Sequence, residues 1–124
     1  MAKGRPRVTR THTYTPQKTK DYERLVQQYF SINYKGEPLE GPVRIDILLF
    51  MYIPKKVSKK RRAMKEQREI LPIKQPDWDN MAKSITDALN KLAYQDDNQI
   101  VEAHVYKYYS TDPRAEITIQ EVGR

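Results

Sequence analysis

The sequence predicts an α/β domain of the α+β kind, in which a small mixed sheet packs against two main helices. Three observations predict it. Apolar residues recur at helical spacing in two stretches, 16–34 and 80–92. Branched and aromatic residues crowd three others, 43–53, 100–110 and 115–122. The 124 residues contain no internal repeat or low-complexity tract, which suits one domain, 1–124, with one modest core.

Taken in chain order, the opening MAKGRPRVTRTHTY, residues 1–14, reads as a basic extended arm. Thr15 then offers a hydroxyl N-cap and Pro16 a preset first helical residue. Tyr22, Leu25, Val26 and Tyr29 follow at helical spacing and give an amphipathic helix over 16–34. Gly36 and GEPLEGP (36–42) make a loop. In VRIDILLFMYI (43–53), Arg44 and Asp46 first alternate with Val43, Ile45 and Ile47. The run then turns apolar on both faces, as a central strand does, until Pro54 ends it. A short charged helix is expected within 57–69, then a crossing segment with Pro72 and Pro76. Next comes a helix beginning near Asn80, with Met81, Ile85, Ala88, Leu89 and Leu92 as its apolar stripe. Asn80, Lys83, Ser84, Asp87 and Lys91 form its polar face. Two strands close the chain, and the Thr111-Asp112-Pro113 turn between them suggests a hairpin. In the first of these strands, Glu102, His104 and Tyr106 share a face and read as a cross-strand surface.

Charge narrows the function. The formal charge is +7, from 23 Lys and Arg against 16 Asp and Glu. Lys3, Arg5, Arg7, Arg10, Lys18 and Lys20 crowd the first twenty positions without an acid. A second block runs through Lys55, Lys56, Lys59, Lys60, Arg61, Arg62, Lys65 and Arg68. Such blocks attract polyanions. Solubility alone would also account for clustered lysines. No cysteine is present, so thiol chemistry, disulfides and zinc–thiolate sites are excluded. No apolar run reaches the length of a membrane span and no signal-peptide pattern opens the chain, so a cytoplasmic protein without a membrane partner is expected.

The acids gather instead in KQPDWDNMAKSITDAL (74–89) and YQDDNQ (94–99). If 76–79 is extended, Asp77 and Asp79 project to one side, beside the positive end of the following helix. Lys83 lies one turn further along the same helix. Asp96 or Asp97 could add a third carboxylate. Crowded carboxylates repel one another until a divalent cation sits among them. Magnesium suits such a set because it takes a few carboxylates and completes its shell with water and phosphate oxygens. Ordinary roles compete with this reading: Asp77 or Asp79 as N-cap, Lys83 and Asp87 as an i,i+4 ion pair, Asp96–Asn98 as a turn. An EF-hand is excluded, because the sixth residue from Asp77 is Ala82 and the twelfth is Ala88. Trp78, between the two aspartates, is expected to pack and hold them in place. A base-stacking role is the alternative for it. His12 lies in the arm and is expected to touch only solvent or a phosphate.

PDWDNMAKSITDAL (76–89) followed by YQDDNQIVEAHVYK (94–107), with KGRPRVTR (3–10) and YTPQKTKDYE (14–23) upstream, resembles the RusA family of Holliday junction resolvases. The resemblance implies a small α/β homodimer that cuts branched DNA, such as four-way junctions, with magnesium (Mg2+) or manganese (Mn2+) and no small-molecule cofactor. It places the metal-binding aspartates on Asp77, Asp79 and Asp97, and the catalytic lysine on Lys83. Spacing by itself does not choose Asp97 over Asp96. Family members usually carry a short strand before the KGRPR-like segment. Only Met1 and Ala2 precede Lys3 here, so a shortened chain or a sheet without that edge strand is expected.

The reading is therefore a metal-dependent, structure-selective endodeoxyribonuclease. Asp77, Asp79, Asp97 and Lys83 form its site. Lys3, Arg5, Arg7, Arg10, Lys18, Lys55, Lys56, Lys59, Lys60, Arg61, Arg62 and Lys74 lie against DNA. Two rivals need less: a non-catalytic DNA- or junction-binding module, which requires only the basic blocks, and a broader nuclease of flaps and forks.

Overall fold

The computed structural model describes residues 7–11, 19–74 and 76–123. Its elements are β1 (Arg7–Thr11), α1 (Thr19–Asn33), β2 (Val43–Met51), α2 (Lys59–Glu66), α3 (Trp78–Leu89), a single 3-10 turn (Asp97–Gln99), β3 (Ile100–Tyr109) and β4 (Arg114–Glu121). The expected Thr15–Pro16 helix start lies outside the described residues. The rest of that helix is present as α1.

The four strands form one mixed sheet in the order β1-β4-β2-β3. β2 pairs in parallel with β3 along one edge and antiparallel with β4 along the other. This is the central place its two-sided apolar run predicts. Parallel strands need a long crossover, and α2, the crossing segment and α3 supply it. The hairpin expected between the last two strands does not form. From the end of β3 the chain passes over the end of β2, where the Ser110 N–H donates to the Met51 carbonyl at 2.9 Å. It then returns as β4 on the far side of β2. Burial explains the choice: Ala115, Ile117 and Ile119 of β4 are buried. β3 carries Glu102, His104 and Lys107 and remains at the sheet edge.

α1 and α3 cover one face of the sheet. Tyr22, Val26 and Phe30 of α1 join Met81, Ile85, Ala88 and Leu89 of α3, and both sets close on Val43, Ile45, Ile47 and Leu49 of β2. The stripe read for α3 is its core face as far as Leu89, where the helix ends; Lys91 and Leu92 lie beyond it, Leu92 partly buried against the core. Gln27 Nε2 ties the helices by donating to the Ala88 carbonyl at 3.2 Å. On the opposite face Arg44 Nε donates to both oxygens of Asp46, at 3.3 and 3.1 Å. His104 lies beside them, Nδ1 3.7 Å from Asp46 and Nε2 3.4 Å from Glu102. That is the cross-strand polar surface the alternation predicts.

α2 has little apolar surface and is held by its cations. Ser58 caps it by accepting from the Arg61 N–H at 3.2 Å. Lys65 is buried with its ammonium 4.3 Å from the centre of the Tyr109 ring, and the Arg68 guanidinium lies 3.9 Å from that of Tyr108. The first contact fastens the basic helix to β3 and the second fastens the turn that follows it. No described helix is long and apolar enough to cross a membrane.

Candidate active site

The N-terminal end of α3 begins at Asp77, whose backbone is extended (φ −70°, ψ 145°), with Trp78 the first helical residue. Asp79 is thus the second residue of the helix, not part of a strand. The pleat expected to align the two acids over 76–79 is absent. What places them together is the helix start itself, whose first-turn N–H groups lack intrahelical partners and carry the positive end of the dipole. Asp77 occupies the capping position, yet its carboxylate accepts no capping hydrogen bond. Among the described residues Asp79 Oδ1 accepts only from the adjacent Asn80 N–H, at 3.0 Å. Both side chains are exposed.

The approach to this end is anchored by a residue the sequence did not mark. Lys107, on β3, donates from Nζ to the Lys74 carbonyl at 2.8 Å and to the Pro76 carbonyl at 3.0 Å. The ammonium therefore joins the crossing segment to the sheet just before Asp77. A lysine in an alternating strand has no sequence signature for such a role.

Asp96 and Asp97 separate by function. Asp96 caps the 3-10 turn: Oδ2 accepts from the Asn98 N–H at 2.9 Å, while Gln99 Oε1 accepts from the Asp96 N–H at 2.8 Å. This is a capping box, legible in hindsight as Asp-x-x-Gln. Gln99 also donates to the carbonyls of Leu39, Glu40 and Gly41, at 3.0, 3.3 and 2.9 Å, and so stitches the turn to the loop before β2. Asp97 is exposed, and its carboxylate makes no hydrogen bond or ion pair among the described residues. Its charge is felt by Tyr94, whose hydroxyl donates to the Thr86 carbonyl at 2.8 Å. Burial, then Asp97, then Asp87 push that phenol well above the usual tyrosine range.

Asp97 opens the 3-10 turn, and Asp87 lies in the C-terminal half of α3. Lys83 leans the same way, Nζ 3.4 Å from Asp87 Oδ2, in the i,i+4 pair that the spacing allowed. The pair is well exposed and correspondingly weak, so the ammonium is free to take another anion. Eight residues of helix, about 12 Å of rise, separate the Asp79 and Asp87 positions. Among the described residues no three His, Asp or Glu side chains converge closely enough to hold a metal ion. Asp77 and Asp79 occupy the start of α3, and Lys83 pairs with Asp87 further along the same helix.

Trp78 departs from expectation. Its side chain is 59% exposed, and among the described residues it is not packed against either aspartate's support. Lys55, Lys56, Lys59, Lys60, Arg61 and Lys74 are exposed, whereas Arg62 is half-buried and donates to the Pro54 carbonyl at 3.2 Å. Lys3, Arg5, Lys18 and His12 lie outside the described residues. Arg7 and Arg10 have only their backbone described, in β1.

The family model of endodeoxyribonuclease RusA matches residues 1–120. The chain belongs to the RusA endodeoxyribonuclease family. A further relative, the Bacillus subtilis (strain 168) protein YqaN, described as uncharacterized, is 38% identical over 129 residues, spanning 99% of this chain and 91% of its own length. RusA membership implies a Holliday junction resolving nuclease and supports binding of branched DNA. The RusA match covers every element described above but for Glu121, the last residue of β4, and includes both ends of α3 and the Asp97 turn.

Proposed function

We propose that this RusA-family domain is a cytoplasmic, divalent-metal-dependent endonuclease that resolves four-way DNA junctions by paired symmetric hydrolysis, as a homodimer. The observation that carries the reading is the state of the acids. In a chain of charge +7, Asp77, Asp79 and Asp97 are exposed, and none is neutralised by a cation among the described residues. Unengaged carboxylates on a polyanion-binding protein weaken binding unless they hold a cation. Their chemistry fits magnesium, a hard ion that needs only one or two carboxylates and otherwise keeps water and phosphate oxygens. Manganese accepts the same donors.

In this reading Asp77, Asp79 and Asp97 would hold the metal, which when bound would supply an activated water and polarise the scissile phosphate. Asp77 and Asp79 sit where the helix start favours negative charge, so the same end of α3 also tolerates a phosphate oxygen. Lys83 leaves its exposed partner Asp87 and places an ammonium where negative charge grows. The exposed lysines and Arg61 around α2, with Lys3, Arg5, Arg7, Arg10, Lys18, Arg62 and Lys74, grip backbone phosphates. A two-fold dimer suits the substrate, since two equivalent sites make two symmetric nicks.

Incubating a synthetic junction with magnesium tests this. Paired nicks are expected, and Asp77→Asn or Asp79→Asn protein should bind the junction undiminished without cutting it. Paired nicks that persist in those variants would remove the acids from the chemistry. Binding without cleavage in any metal would leave a DNA-binding module, and equal cutting of flaps and junctions a broader nuclease.

A further inference from the structure

We propose that Trp78 is a base-stacking contact that reads the exposed face of an unstacked base where a DNA branch point opens. The proposal rests on the nuclease reading for the identity of the nucleic acid and extends it to how branched DNA is told from linear duplex.

An indole carries a large apolar face, and such rings are ordinarily covered. Trp78 is 59% exposed, and among the described residues it has no ring, cation or hydrogen-bond partner. It is also held in position. It opens α3, whose core face is locked by Met81 and Ile85, and the segment before it is fastened to β3 by Lys107. Leu71 and Ile73 of that segment are exposed as well, Ile73 at 90%. Three outward apolar side chains thus precede or begin α3 within eight residues of chain.

The occupant follows from size and neighbours. A stable protein interface engages about 20–30 residues a side, which one short segment cannot supply. Trp78 is the covalent neighbour of both Asp77 and Asp79. Consecutive Cα atoms are about 3.8 Å apart, so a phosphate on a cation held by those acids brings the base of its own or the next nucleotide within reach of the indole. Continuous duplex hides its base faces in the stack and offers only edges and phosphates. A branch point uncovers faces, and every base has one, so stacking selects DNA structure without selecting sequence.

Trp78 is the only tryptophan in the chain, so its fluorescence reports this contact alone. The full-length protein is titrated in calcium, a hard cation that takes carboxylate and phosphate oxygens, with a four-way junction and with linear duplex, each labelled so that anisotropy independently measures binding. Emission quenched by roughly half on the saturated junction, with little change on saturated duplex, is the expected result. Trp78→Ala should lower the preference for junction over duplex by about 10-fold or more, and Trp78→Phe should restore most of it. Unchanged emission on a saturated junction would overturn the proposal, as would an emission shift on concentrating the protein alone, which would make a second copy the occupant. Quenching without cleavage in magnesium would sink the nuclease reading and leave stacking intact; cleavage without quenching would do the reverse.

Discussion

Asp96 and Asp97 are neighbours with different occupations. The Asp96 carboxylate is spent on the Asn98 N–H, whereas Asp97 has no such bond. Asp96→Ala should therefore cost about 1 kcal/mol of stability through the lost cap. Asp97→Asn should leave the denaturation midpoint unchanged or higher while abolishing cleavage. A reversed pattern in paired denaturation and cleavage assays would exchange the two roles. Tyr94 gives a second prediction at this scale. Its folded pKa is raised above the ordinary value of 10.0 by burial and by Asp97 and Asp87. The unfolded chain therefore loses the phenolic proton first, and the contribution to stability is whole below about pH 10 and lost as pH rises beyond it. Tyr94→Phe should be less stable by about 1 kcal/mol at neutral pH, through loss of the bond to Thr86, and should show a shallower decline above pH 10 in chemical denaturation.

Among the elements, α3 was the most legible. Its stripe of Met81, Ile85, Ala88 and Leu89 could be read from the period alone, because one helix face carries its own record of burial. Its first turn was not legible. Pro76 and the alternating acids suggested extended chain through Asp79, but the helix begins at Trp78 once Lys107 secures the preceding carbonyls. That contact joins residues 31 and 33 positions apart, and no local pattern encodes it. Lys107→Met should cost about 1–2 kcal/mol and lower cleavage by loosening the approach to Asp77. If stability falls while the cleavage rate holds, Lys107 is a tether without a positioning role. β2 announced its central place by being apolar on both faces. The hairpin expectation for β3 and β4 failed because a short turn favours neighbouring strands locally, while burial of Ile117 and Ile119 favours the place beside β2.

For the whole molecule, the charge of +7 makes binding an ion-exchange process. Junction affinity should fall by at least about 10³ between 50 and 200 mM salt if six or more phosphates are engaged, which anisotropy titrations can measure. A flat salt response would deny the basic segments their role. The sequence by itself determined the residue types, the helical and strand periods, the family and the excess of basic charge, since each is written locally or in composition. Tertiary structure alone decided that β4 inserts beside β2, that Asp96 is a cap while the Asp97 carboxylate has no partner among the described residues, that Lys83 rests on Asp87 and that Trp78 faces outward. Those outcomes depend on which distant groups compete for each burial site and each hydrogen bond, and that competition exists only once the chain has closed on itself.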